Sequence, residues 1–133
     1  MRKPVIIAAE PQVFVRDLAS ACRFWVEKLG FRVAFSYGEP AFYAQVVRDG
    51  GSVNLRKVGG PVFDSGFRDM EVDALSVILT LDDADLLFAD FEAAGVPFHQ
   101  TLRTEPWGAR TFIVRDPEGN LIAFAGPGTR SEG

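Results

Sequence analysis

Residue types able to carry chemistry are sparse in this chain, and their spacing limits what they can do. One histidine, His99, and one cysteine, Cys22, occur among 133 residues. Catalytic triads are spatial arrangements, so sequence order alone does not decide them, but no nucleophile-elbow motif accompanies either residue. Cys22 falls among the apolar positions of a helix-like stretch, the setting of a core thiol. His99 falls near the start of a strand-like run, the setting of an edge or surface imidazole. Gly59-Gly60 lacks both the second glycine spacing and the Lys-Ser/Thr end of a phosphate loop. Asp82, Asp83, Asp85 and Asp90 gather at a helix start and read as capping and solvating charges. Glu10, at the start of a strand, is the one carboxylate placed to act as a binding or general-base group. No catalytic residue is assigned. Binding chemistry is better represented, because aromatics make up 12% of the chain, twelve of them phenylalanine. Phe35, Tyr37, Phe42, Tyr43, Phe63, Phe67 and Trp107 lie in strands or loops. Pro106-Trp107-Gly108 sets a large ring between two residues that break regular structure, so a turn aims it. Stacking contributes about 0.5–1.5 kcal/mol per aromatic pair beyond area burial. A few such contacts suffice for a micromolar ligand.

These candidates are positioned by a chain that reads as two copies of one pattern. A strand from Gln12 to Arg16 leads to Asp17, a good N-cap. Leu18, Ala21, Cys22, Trp25, Val26 and Leu29 follow at helical spacing until Gly30 ends the helix. Phe31 to Tyr37 alternates, with Phe31, Val33, Phe35 and Tyr37 expected on one face. Turns at Gly38-Glu39-Pro40 and Asp49-Gly50-Gly51 separate strands Ala41 to Val47 and Ser52 to Val58. Phe42 and Tyr43 are strand neighbours, so alternation allows only one of them to face inward. Gly59 to Asp73 keeps no period and reads as a long connecting loop. Then the pattern restarts with a strand from Ala74 to Leu81 and a helix capped by Asp82 or Asp83 that ends at Gly95. Strands near Phe98 to Leu102, Ala109 to Arg115 and Leu121 to Ala125 follow, the last two joined by Asp116-Pro117-Glu118-Gly119, which has type I turn chemistry. The prediction is an α+β fold of two βαβββ repeats, about 10–58 and about 74–126, joined by 59–73 in a single domain spanning 1–133. Curled by strand twist, the two mixed sheets are expected to enclose a cleft that neither half lines alone.

Composition excludes several classes. Hydrophobic content of 47% and 24% charge are those of a globular protein, and no apolar run reaches the length of a membrane span. A net charge of −4 without a Lys/Arg cluster argues against a nucleic-acid partner. The single cysteine leaves no intramolecular disulfide and fits a reducing cytoplasm.

The repeat, with VRDLASACRFWVEKLGF in its first half and PWGARTFIVRDPEGNLIAF in its second, resembles the vicinal oxygen chelate superfamily of glyoxalases, extradiol dioxygenases and bleomycin resistance proteins. PWG, the following R-x-F and RDP-x-GN place the resemblance closest to the bleomycin-binding subgroup. In the enzymes of that superfamily four inward residues hold a divalent ion, and the motifs carry those positions onto Glu10, Asn54, Ser76 and Ala123. Only Glu10 is a competent donor, so the resemblance implies a lost metal centre and no cofactor. It implies instead a metal-free protein that sequesters an aromatic or amphipathic small molecule, with antibiotics among the candidates. Trp107 and either Phe42 or Tyr43 are its expected stacking faces, with Phe35, Phe63 and Glu10 nearby. The subgroup's dimers imply a homodimer with the site at the interface, Met1 to Ala9 as an arm and Arg110 near the contact. The alternative is a divergent lyase, isomerase or dioxygenase with an atypical metal site. A third reading, an interaction domain, expects the cleft plugged by Phe35, Phe63 and Phe67.

Overall fold

A computed structural model describes residues 2–128. The first repeat runs β1 (Gln12–Val15), α1 (Leu18–Arg23), β2 (Arg32–Gly38), β3 (Ala41–Arg48) and β4 (Gly51–Lys57). After a short helix α2 (Ser65–Met70), the second runs β5 (Val77–Thr80), α3 (Ala84–Ala93), β6 (Phe98–Thr104), β7 (Arg110–Arg115) and β8 (Leu121–Gly126). The same local chemistry builds both halves. Asp17 accepts from Ser20 N at 3.1 Å and Asp83 from Leu86 N at 3.0 Å, each capping its helix. Gly30 and Gly95 leave the helices at φ of 75° and 74°, a conformation costly for other residues.

Each repeat forms one four-stranded sheet. Sheet A has the order β1-β4-β3-β2 and sheet B the order β5-β8-β7-β6. In both, the outer pair, β1 with β4 and β5 with β8, is parallel and the remaining pairs are antiparallel. The faces toward the helices form one continuous core. Val13, Val46 and Leu55 of sheet A join Trp25 of the first helical segment, and Phe112, Val114 and Phe124 of sheet B join Phe91 of α3. Phe112 sits against the rings of Phe88, Phe91, Phe98 and Phe124, with centroids 5.1–5.9 Å away.

Three local readings are corrected. α1 does not run unbroken to Leu29 but passes into a π-helical turn, Phe24–Lys28, with Leu29 N bonded to Phe24 O at 3.3 Å. The segment 59–73 is not all loop, because Asp64 accepts from Phe67 N at 3.2 Å and caps α2. Six residues are too few for a helical period to declare itself. Phe31, Val33, Phe35 and Tyr37 do not share one face. Val33 pairs with Val46 but Phe35 with Gln45, so a bulge between them switches sides, and Phe31 is in the core.

The repeats are joined through the Asp116–Asn120 turn. Buried Asn120 donates from Nδ2 to Phe14 O and to Asp116 Oδ2, both at 2.9 Å, while its Oδ1 accepts from Ser76 Oγ at 2.9 Å. Glu118 accepts from Arg16 N at 2.8 Å and Asp17 N at 3.1 Å. A second tie runs between helix ends, where Lys28 Nζ donates to Ala94 O at 2.8 Å.

Candidate functional site

A cleft of about 760 Å³ lies over the face of sheet B turned away from α3. Strand alternation makes its floor. β7 sends Phe112 and Val114 into the core and therefore turns Thr111 and Ile113 the other way, while β8 contributes Ala123 and Ala125. Ile78 extends the row beside Ala123, and Gln100 beside Ile113. Trp107 also lines this cleft. Gly108 N bonds Glu105 O at 2.8 Å, closing a turn that the Gly108 φ of 100° permits, and the indole is left 75% exposed. The turn aims the ring outward.

A polar network borders the apolar floor. Arg103 donates from Nε to Glu105 Oε1 at 2.8 Å and from Nη2 to Oε2 at 3.3 Å. The Thr111 hydroxyl donates to the same Oε1 at 2.6 Å, and Gln100 Nε2 donates to that hydroxyl oxygen at 3.1 Å. Glu105 is 6% exposed, and the bonds from Arg103 and Thr111 hold its carboxyl below the usual glutamate range. His99, on edge strand β6, meets Asp73 with Nε2 to Oδ1 at 2.8 Å, and both residues line the cleft.

This cleft is not the expected concavity lined jointly by both halves; the halves meet instead around a separate cleft of about 620 Å³, lined by Phe31, Arg48 and Asp49 of the first repeat and by Leu79, Asp83 and Leu86 of the second. Every lining residue of the sheet B cleft belongs to the stretch 73–125, and sheet A presents a separate open face. Cross-strand pairing sets two rows on that face. Phe35, Gln45, Asn54 and Gln12 form one, and Tyr37, Tyr43, Arg56 and Phe14 the next. Phe35 stacks on Tyr43 at 6.2 Å, and Tyr37 meets Phe42 edge-on at 5.8 Å. Phe42 also lies 5.5 Å from the Arg56 guanidinium. Simple alternation fails here, since Tyr37 pairs with Tyr43 and Gly38 with Ala41, which leaves Phe42 in a bulge beside that row.

The predicted site residues are thus divided. Trp107 alone lies in the sheet B cleft. Phe35, Phe42, Tyr43 and Glu10 are associated with the face of sheet A. Arg110 is turned to α3, donating from Nε and Nη2 to Asp85 at 3.1 and 2.9 Å. Phe63 packs under the Arg68 guanidinium at 4.3 Å, and neither Phe63, Phe67 nor Phe35 enters the sheet B cleft. Cys22 is half-buried, and desolvation pushes its thiol up, away from nucleophilic reactivity. Gln45, Arg103 and Glu105 escaped the sequence reading. Opposite charges two residues apart at Arg103 and Glu105 were the available signal, because such positions share a strand face.

The four positions to which the resemblance carries a metal site, Glu10, Asn54, Ser76 and Ala123, have the wrong chemistry for one. Gln45 Nε2 donates to Glu10 Oε1 at 3.3 Å and to Asn54 Oδ1 at 3.0 Å, so both oxygens are engaged. Ser76 donates its hydroxyl to Asn120, and Ala123 has no donor atom. Among the described residues no three His, Cys, Asp or Glu side chains converge. This donor set does not fit a divalent transition-metal ion.

Residues 7–124 match the family model of the Glyoxalase/Bleomycin resistance protein/Dioxygenase superfamily, and the chain belongs to that superfamily. No curated protein sequence matches it. Among solved structures it is similar to TnmS3, an antibiotic binding protein from Streptomyces sp. CB03234, at 25% identity over 95% of this chain and 99% of that one, with a TM-score of 0.70. It is similar to a glyoxalase/bleomycin resistance protein/dioxygenase from Alicyclobacillus acidocaldarius at 25% identity, over 96% and 95% of the two chains, with a TM-score of 0.73. It shares the fold of the bleomycin-binding protein from bleomycin-producing Streptomyces verticillus, solved with copper(II)-bleomycin, at 23% identity over 96% and 100%, with a TM-score of 0.72. No helix among the described residues is long and apolar enough to cross a membrane.

Proposed function

We propose that this member of the superfamily is a metal-free binding protein that sequesters an aromatic or amphipathic small molecule, an antibiotic being one candidate, in the cleft over sheet B. The observation that carries this reading is Trp107, three-quarters exposed on a hydrogen-bonded turn beside an apolar floor of Ile78, Ile113 and Ala123. An exposed indole beside an apolar floor is a preformed stacking face, the usual anatomy of a small-molecule site. Function as a homodimer is part of the proposal. Sheet A exposes Phe35, Tyr37 and Phe42, and the extended segment before β1 exposes Val5, Ile6 and Ile7 at 75%, 92% and 94%. Such apolar surface is what a second copy covers. With the sheet A face of one copy over the sheet B cleft of the other, Phe35, Tyr43 and Glu10 would join Trp107 around one ligand. The continuous core through both repeats supports reading 1–133 as one domain, and the single cysteine supports a reducing, cytoplasmic setting. The test is titration calorimetry with a panel of planar aromatic antibiotics. Trp107→Ala is expected to weaken the best ligand by about tenfold, from the loss of one stacking contact, with unfolding unchanged. Equal affinity in the variant would remove the cleft from the account.

A further inference from the structure

Four charged or titratable groups line the cleft over sheet B: Arg103, Glu105, Asp73 and His99. Their hydrogen bonds leave them unequally available to a ligand. Glu105 is buried, and its oxygens are filled by Arg103 and the Thr111 hydroxyl. It does not offer a free face to a cation. Asp73 is exposed, but its Oδ1 is already taken by His99. Arg103 differs. Glu105 occupies only the Nε–Nη2 edge of its guanidinium, so Nη1 and the second proton of Nη2 have no partner among the described residues. The second bidentate edge of the fork is open, on a side chain 59% exposed in the lining of the cleft that holds Trp107.

We infer that the open edge of Arg103 receives a planar oxyanion borne by the ligand, so that this cleft prefers aromatic acids to their neutral or cationic counterparts. The inference rests on the reading of the cleft as a ligand site. A guanidinium edge matches a carboxylate with two parallel hydrogen bonds, and Glu105 has already fixed its plane, so little rotamer freedom is lost on binding. The neighbouring Asp73 opposes the anion, and the chain's net charge of −4 does so at long range. The direct contact outweighs both, because it makes two parallel hydrogen bonds at contact distance, while the charges farther off act through solvent and are screened more strongly.

Three probes sharing one ring system isolate the charge: 2-naphthoate, 2-naphthamide and 2-naphthylmethylammonium, titrated into the full chain. The acid is expected to bind roughly tenfold or more tightly than the amide, the scale of hydrogen bonds to charged groups, and the ammonium most weakly. Arg103→Gln is expected to abolish the acid's advantage, weakening the acid far more than the amide, whose carbonyl accepts only one uncharged hydrogen bond there. Arg103→Lys keeps the charge beside Glu105 but lacks the second edge, and is expected to lose most of the preference, which guards against a folding artefact in the first variant. Asp73→Asn is expected to tighten the acid alone. An amide or ammonium bound as tightly as the acid, or an acid preference that survives both Arg103 variants, overturns the inference. If the probes bind with the acid preference absent but Trp107→Ala still weakens them, the cleft stands and only the anion preference falls. Failure of all three probes to bind overturns both.

Discussion

Glu105 shows how a single side chain prepares this cleft. It is a buried carboxylate whose charge is balanced by Arg103 and whose Oε1 also accepts from the Thr111 hydroxyl. Because its folded pKa is depressed, it stabilises the fold above the unfolded glutamate pKa of about 4.3, and that contribution is lost as pH falls through the lower folded value. The stability gap between wild type and Glu105→Gln, measured by urea unfolding, is therefore expected to be full near neutrality and to shrink below about pH 4. A gap that widens on acidification would contradict this sign. Asp116 has the reverse behaviour, since burial raises its carboxyl and its ionisation costs the folded state stability as pH rises. At this scale the sequence was only partly legible. Trp107 could be read as a turn-aimed ring because Pro106 and Gly108 flank it. Arg103 and Glu105 could not be ranked above other strand charges, because the bond from Thr111 that singles them out comes from the neighbouring strand.

Among the elements, the hairpin from β7 to β8 does the most. Its strands supply the cleft floor on one face and the Phe112 cluster on the other. Its turn reaches back to the first repeat through Asn120 and Glu118. Asn120 spends both amide protons and its oxygen on three separate segments, so Asn120→Ala strands a partner on each, the buried Asp116 carboxylate and the half-buried Phe14 carbonyl and Ser76 hydroxyl. A loss of about 2–4 kcal/mol in unfolding free energy is expected, the sum of one or two orphaned polar groups. Glu118→Ala, at a more exposed contact, is expected to cost less, and a larger effect there would misplace the clamp. The turn itself was readable from Asp116-Pro117-Glu118-Gly119. Its partners were not, because Phe14 and Arg16 lie a hundred residues away along the chain. Repeats, helix caps and the βαβββ succession of elements were legible for the same reason as the turn, since each is written in local spacing, whereas the order of strands within each sheet was not. The π-helical turn and the β-bulges between β2 and β3 were not, because tertiary packing sets them.

For the whole molecule, the two sheets share a core yet turn their open faces to different places. This is where sequence reasoning ran out: repetition announced two similar half-sites but not how they are combined. In the proposed dimer each half-site is completed by the other copy, and the exposed segment around Val5, Ile6 and Ile7 adds to the contact. Met1 lies outside the described residues. Removing residues 2–8 is expected to shift the sedimentation coefficient from dimer toward monomer and to weaken ligand binding with it. A truncated chain that keeps both its assembly and its affinity would exclude a role for the arm. The acidic net charge sets no comparable constraint, since both the Arg103 edge and the apolar floor act at contact distance.

The central claim is that the cleft binds an aromatic ligand without a metal. Thermal unfolding of chelator-treated protein, with divalent metals and with planar aromatic compounds in separate arms, tests it most directly. A ligand confined to the folded state adds RT ln(1 + [L]/Kd), about 2.7 kcal/mol at a hundredfold excess over Kd. The account predicts stabilisation by an aromatic compound, absent in Trp107→Ala, and none by Zn²⁺, Mn²⁺ or Ni²⁺. Stabilisation by a metal that disappears in Glu10→Ala would contradict it and return the chain to the metalloenzymes of its superfamily.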